Sequence, residues 1–520
     1  MKGKEKIIMG TTLIVSLILS IIHSILFFRK DVGISVVLFT IATIIGLYVI
    51  LDKKKKIKNK KAIILAIPIV LLSSTYFIFN NKLFNVLNIF VILSLFATMI
   101  IWMINGSLKF SLLLSKIFNI VFGPLEFVGK ALKITKDAIV NNDKGKNNSK
   151  AVIIKRIVKA ILISIPIVLI VLFLLISADD NFAKLFSWFS DYIVKLFTSI
   201  EFLYLILRLA LIFILFIYFV SFIYNLTDEY SSFNVIEKVT RKKEIKFDIF
   251  TVNTVLTILN IIYLLFSVIQ ILNLTNSNNI EIYSKSARQG FFQLMILSVI
   301  NLALVILSKL NKSEQSDKAK RYTKIMNIIM VIFTIILIIV AFRKMYVYQQ
   351  NYGLTVLRVL VYWGLITESL LIIPTILYIL KEKINLFYSY FAIIVVMYVI
   401  LNLANINKII TKKNIDLYFV KEKIDVEYLE DLESTDVVPD LINLMNKIEN
   451  ENLEVKTEIN NCLYNIQKDV KKDRTWQAYN ISIKKAKNEL NKIDLQYKRK
   501  EYKKYNYDKY NYDKYTYKGI

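Results

Sequence analysis

Eleven stretches of roughly twenty apolar residues recur between the N-terminus and residue 404, and they constrain the fold more than any motif does. A bilayer core about 30 Å thick is crossed by roughly 20 residues at 1.5 Å each, so every stretch is long enough to span it. They cover approximately residues 7–28, 32–51, 62–80, 83–104, 156–177, 199–224, 249–272, 290–309, 324–345, 355–380 and 386–404. In hydrocarbon an unpaired backbone N–H or C=O costs several kcal/mol, so each span has to be a helix. The first stretch exceeds a signal-peptide core, lacks a small-residue cleavage site and runs into the second, and is read as retained. With 56% hydrophobic residues and only 12 Gly and 5 Pro in 520, the expected fold is all-α. The chain is read as a polytopic helical membrane protein with about eleven transmembrane helices.

Lysine placement orients these spans, because Lys and Arg are held on the cytoplasmic side during insertion. Lys2, Lys4 and Lys6, then "DKKKKIKNKK", the lysine-studded segment from Lys109 to Arg156, "VTRKKEIK", "KAKRYTK" and "KEK" all fall on one side of an eleven-span chain. The alternate connections are poorer in lysine. The N-terminus is therefore expected in the cytoplasm and everything after residue 404 outside, with the plasma membrane as the location. The net charge of +28 follows from the inner loops and the tail. No nucleic-acid motif accompanies it, so the lipid bilayer is the partner the charge implies.

Residues 1–104 hold four spans, and 156–404 hold seven. Between them, 105–155 carries apolar residues at helical spacing before the polar linker "NNDKGKNNSK", which predicts a cytoplasmic amphipathic helix in the interface. The loop "NFAKLFSWFSDYIVKLF" has the same character. Residues 405–496 read as a small helical extracytoplasmic domain. It opens on the acidic patch "DVEYLEDLESTDVVPD" and continues with helical patterns through Leu441, Leu444, Met445 and Ile448 and through Trp476, Tyr479, Ile483 and Ala486. Residues 497–520, ending "YNYDKYNYDKYTYKGI", repeat tyrosine, asparagine, aspartate and lysine without aliphatics, the composition of a disordered tail. Anionic lipid and anionic wall polymers are candidate further partners through its lysine charge and tyrosine stacking.

The single His, His23, lies in the first span and the single Cys, Cys462, in the C-terminal domain. Imidazole or thiolate metal sites, a Ser-His triad and a Cys-His pair are thereby excluded or nearly so, and Cys462 has no intrachain disulfide partner. A carboxylate site for magnesium or calcium stays open. No nucleotide-binding loop is present, and neither a cofactor nor a bound metal is expected.

Five stretches, "ISADDNFAKLF", "SARQGFFQLMILSVINLALV", "YGLTVLR", "DVEYLEDLESTDVVPDL" and "DRTWQAYNISIKKA", occur in that order. Together they resemble the bacterial multi-pass family catalogued as domain of unknown function 4173, over about residues 170 to 490. The resemblance implies a membrane location and an extracytoplasmic helical end, with no settled activity. Where that family's pattern has a proline after its first aspartate, this chain has Asp180.

The expected topology brings several polar residues to one outer rim. Arg288, Gln289, Tyr352, Thr355 and Arg358 would face Asp179, Asp180 and Glu201 there. Arginine and tyrosine at helix ends also snorkel to headgroups, the plainer reading of the same residues. Two charges lie deeper: Arg208 and Glu368 stand roughly 14 and 20 Å past the outer ends of their helices. A lone charge there costs at least about 2.5 to 3.5 kcal/mol, so mutual pairing is the economical expectation. Asn253, Asn260, Gln293 and Asn301 add amides, read first as helix-to-helix glue. Three classes of function are compatible: an envelope interaction, sensing or scaffold protein with an outward polar site; a transporter or permease for a small polar or anionic solute; and a membrane transferase using outer-face carboxylates. The first is favoured, an enzyme least.

Overall fold

The computed structural model describes residues 2–108, 110–140, 171, 200–228, 247–275, 280–310, 316–381, 384–422, 424–448 and 452–497. Ten helices among them are long and apolar enough to cross a membrane, and each overlaps one expected span. The fifth expected span (156–177) apart from residue 171, the linker, the loop 181–197 and the tail from residue 498 lie outside the described residues. Among the described residues there is no strand. The chain divides into two compact units, residues 1–73 with 91–241 and residues 74–90 with 242–520.

The first unit contains α1 (Lys2–Phe27), α2 (Ile34–Lys53), parts of α3 (Ala66–Ile78) and α4 (Lys82–Asn105), α5 (Phe110–Phe122), α6 (Val128–Val140) and α7 (Ile200–Thr227). Along α1, Thr12, Ser16, Ser20 and Ser24 recur every fourth residue and are all buried. Small side chains on one stripe let helices approach closely. Ser24 meets α7, where its Oγ accepts from Arg208 Nε at 2.9 Å. The segment expected in the interface forms α5 and α6, joined by a tight 3-10 turn, Gly123–Phe127. The side chain of Asn225 on α7 donates to both the carbonyl and Oδ1 of Asn119 at 3.2 Å. This approach needs Gly123, since a Cβ there would come within 2.5 Å of Asn225 Nδ2. Leu114, Phe118 and Leu125 remain exposed, the apolar face such a segment would turn to lipid.

The second unit is built on α8 (Ile249–Thr275), α9 (Ile280–Leu310), α10 (Asp317–Tyr352), α11 (Val356–Lys381) and α12 (Leu386–Leu403). Ser316 starts α10 by accepting from the Ala319 amide at 3.3 Å, and Gly353 ends it with φ 75°. Leu256, Val305, Met330, Leu337 and Leu365 form the apolar core. Polar side chains tie the helices: Tyr263 Oη donates to Asn301 Oδ1 at 2.7 Å, Thr323 to Asn253 Oδ1 at 2.7 Å, and Asn260 to the Met326 carbonyl at 3.0 Å. In hydrocarbon such bonds hold helices together.

After α12, Asn405 takes a left-handed conformation and caps α13 (Ile406–Lys421). There follow α14 (Val426–Asp431), α15 (Val438–Lys447), α16 (Leu453–Val470) and α17 (Ile481–Leu490). Leu429, Val437, Leu441, Leu444, Ile459 and Leu463 make the core of this helical C-terminal part. Cys462 is buried in it, and burial pushes its thiol up to about 12, with Glu430 adding to the effect. The pattern through Leu441, Leu444 and Ile448 is buried as its spacing implies, but Trp476 and Tyr479 are exposed. Both precede the last helix: Asn480 accepts from the Ile483 amide at 3.0 Å, so α17 begins at Ile481.

Candidate functional site

Two turns of the second unit are gripped by the C-terminal helices, and the grip is made almost wholly by side chains on backbone groups. The first is Gly353–Thr355, between α10 and α11. A left-handed glycine ends α10 here and exposes carbonyls that need donors. Arg358, one turn into α11, reaches back: its Nη1 donates to the Tyr352 carbonyl at 2.7 Å and to that of Gly353. Its guanidinium also lies over the Tyr348 ring, 4.4 Å from the centroid. Asn414 on α13 pairs with Leu354 in both directions, accepting from its N–H at 2.7 Å and donating to its carbonyl at 2.9 Å. The Val356 amide, unsatisfied at the start of α11, donates to Tyr428 Oη at 2.8 Å. Burial pushes the Tyr428 phenol up, so at neutral pH it is the hydroxyl that fills this role. Lys421 donates to the Gln350 carbonyl at 2.6 Å and to Asn351 Oδ1 at 2.9 Å.

The second turn, Phe79–Asn81, joins α3 to α4. Asp436 Oδ2 accepts from the Asn80 amide at 2.9 Å and from Ser434 Oγ at 3.2 Å. Asn480 donates to the carbonyls of Tyr76 and Phe79 at 2.9 and 2.8 Å, closing the end of α3 while its oxygen caps α17. Lys82 and Glu433 form an exposed ion pair beside it. Deeper, buried Asn88 on α4 donates to Asn402 Oδ1 at 2.8 Å and Thr75 Oγ1 at 3.2 Å, and accepts from Tyr398 Oη at 2.8 Å.

Of the residues expected at an outer rim, the structure brings Tyr352, Thr355 and Arg358 together at the first turn. Asp179 and Asp180 lie outside the described residues. Glu201 begins α7 in the first unit; Arg288 and Gln289 sit on α9 in the second, and their side chains are outside the described set, as is that of Glu201. Gln293, on α9, is exposed. Arg208 and Glu368 fall in different units. Each has a serine partner, Ser24 for Arg208 and Ser298 for Glu368. Glu368 is only 6% exposed. Of the residues that make the grip, Tyr428 and Asp436 lie in the acidic patch and Asn480 in the last of the five stretches, while Asn414 lies in none of them. The available signal was the Asn/Asp content next to helix starts, since these residues cap helix ends and turns.

Beside the first turn, α10 and α13 enclose an open groove of about 780 Å³. Its charged lining is Arg343, Lys413, Asp416 and Lys421. Tyr346, Val347, Leu417 and Val420 supply an apolar wall. Among the described residues no group of His, Cys, Asp or Glu gathers as metal ligands would.

Ten helices of spanning length, polar side chains bonded between them and no strand among the described residues make this a multi-pass, all-α integral membrane protein. The profile of a family described as Domain of unknown function (DUF4153) matches residues 66–444, most of the chain, and the chain belongs to that family. The number differs from the 4173 suggested by the five stretches; a multi-pass family of unknown function is the part of that expectation that stands. The match includes most of the third span and all of the fourth, and stops before "DRTWQAYNISIKKA". No curated protein and no solved structure matches the chain.

Proposed function

We propose that this is a plasma-membrane envelope protein of the interaction, sensing or scaffold class, with the C-terminal helical part on the extracytoplasmic side as its receiving element. The supporting observation is the double grip: Asn414 and Tyr428 hold the α10–α11 turn, and Asp436 and Asn480 hold the α3–α4 turn. A tethered module would need only a linker. Bonds from side chains to the ends of four spanning helices instead make any displacement of the C-terminal helices a displacement of those ends. The lysine-poor connections at these turns support the outward assignment.

Hydrogen exchange on full-length protein in lipid nanodiscs tests the coupling. With Asn414→Ala plus Asp436→Ala, faster exchange is expected in the first turns of α4 and α11 as well as within 405–496. Loosening confined to 405–496 would remove the basis for sensing. Transport is the second reading, and buried Glu368 with its Ser298 partner supports it, because an intramembrane carboxyl marks solute or proton paths.

A further inference from the structure

We propose that the groove between the end of α10 and the second half of α13 is a binding site for a single anionic phospholipid, its phosphate on Lys413, Lys421 and Arg343 and an acyl chain along Tyr346 and Val420. The inference goes beyond the sensing reading and does not depend on it.

Depth is the first argument. The apolar run of α10, "IILIIVAF", ends at Phe342, and Arg343 and Lys344 follow at once, succeeded by Tyr346, Tyr348 and Tyr352. Basic residues and tyrosines directly after a hydrocarbon-length run mark the level of the headgroups. The groove lining on α10 starts at Arg343, so its mouth opens at the level of the lipid phosphates, and the apolar wall that continues outward from it at Tyr346 takes a chain lifted out of the bilayer.

Chemistry is the second. Lys413 and Lys421 outnumber Asp416, so the lining keeps a surplus of positive charge without counting Arg343. Lys421 spends two of its three N–H donors on the Gln350 carbonyl and Asn351 Oδ1, which hold the ammonium in place and leave one donor for a ligand. Lys413 meets Asp416 only at 3.8 Å with both side chains more than half exposed, a pairing too weak to withhold it from a phosphate. In the same lining, Tyr346 is 57% and Val420 78% exposed. A free phosphate or a small anion would use the cations and leave that apolar wall in water. An amphiphile uses both, and a groove of this size is in the range of ligand sites.

The test is native mass spectrometry of the full-length, delipidated protein in detergent, titrated with phosphatidylglycerol or phosphatidylcholine of identical chains. Retention of one phosphatidylglycerol at least tenfold over phosphatidylcholine is expected. Arg343→Gln plus Lys413→Gln should lower that retention at least fivefold, and Tyr346→Ser plus Val420→Ser should lower it too. Lys447→Gln plus Lys485→Gln, neither in the groove lining, should leave it unchanged. Equal retention of the two lipids, or no loss in the groove variants, overturns the proposal. Glycerol phosphate is the soluble competitor; displacement of lipid by it at equal concentration would show a simple anion site and also overturn it. Should a groove variant fail to fold, photoactivatable phosphatidylglycerol on the wild type decides: labelled peptides must include 343–351 or 413–421, and labelling only elsewhere refutes the site.

Discussion

Arg358 stands where a helix enters lipid, and the structure gives it work that a headgroup anchor would not need. Its guanidinium closes two carbonyls of the preceding helix and stacks on Tyr348. A lysine ammonium carries the charge but neither the planar stacking nor the fixed fork. Arg358→Lys is therefore expected to cost about 1 kcal/mol, the scale of one exposed cation–π contact. It should show as faster limited proteolysis near 343–358, with Arg358→Ala faster still. Indistinguishable digestion of Lys variant and wild type would return the residue to simple snorkelling. Glu368 poses the opposite case, a carboxyl whose partner among the described residues is the Ser298 hydroxyl. Glutamine keeps an acceptor for that hydroxyl, so Glu368→Gln is expected to change thermal stability of the purified protein by no more than about 1 kcal/mol. A loss of about 3 to 5 kcal/mol would instead reveal a buried ion partner. Recovery on adding Arg208→Gln would identify that partner as the arginine expected from depth alone.

Among the elements, the turn between α10 and α11 concentrates the most constraints in the fewest residues. Gly353 has φ 75°, a region costly for side chains, and a Cβ there would sit 2.6 Å from Asn414 Oδ1. Gly353→Ala is expected to combine backbone strain of about 1 kcal/mol with loss of the Asn414–Leu354 pair. Limited proteolysis should then release the C-terminal helices as one fragment while the spanning helices stay intact. Unchanged protection would mean the turn is held by apolar packing of Leu354 rather than by the asparagine. Helix existence was legible here, because "YGLTVLR" places a glycine directly before an apolar run. The partner was not: nothing local marks Asn414, sixty residues away, as the group that will fill both hydrogen bonds of Leu354. Trp476 and Tyr479 show the same limit from the other side. Their spacing suits a helix, but the cap at Asn480 starts α17 after them.

At the scale of the whole molecule, the proposed topology has a cytoplasmic N-terminus and an extracytoplasmic C-terminus, the arrangement the lysine distribution predicts. Reporter fusions after Lys56, Ser277 and Ile520 are expected to read inside, outside and outside. A cytoplasmic reading at Ile520 would change the number of spans by one and put the C-terminal helices and the α10–α11 turn on the face opposite the α3–α4 turn, against the bonds from Asp436 and Asn480 to that turn. The ten spanning helices found among the described residues match ten of the eleven expected, so the fusion at Ile520 weighs the remaining stretch, 156–177.

The sequence by itself determined which segments cross the bilayer, because that choice is local: an apolar run either has the length of the hydrocarbon core or it does not. It also determined that buried polar groups such as Asn260, Asn301 and Glu368 would need partners, since lipid supplies none. Only the tertiary structure decided who those partners are. Asn480 reaches the Phe79 carbonyl across 401 residues, Asp436 the Asn80 amide across 356, and Asn88 meets Asn402 across 314. Hydrogen bonds over such separations depend on how helices come to lie side by side. Each asparagine looks the same in sequence whether it caps its own helix, closes another or faces water.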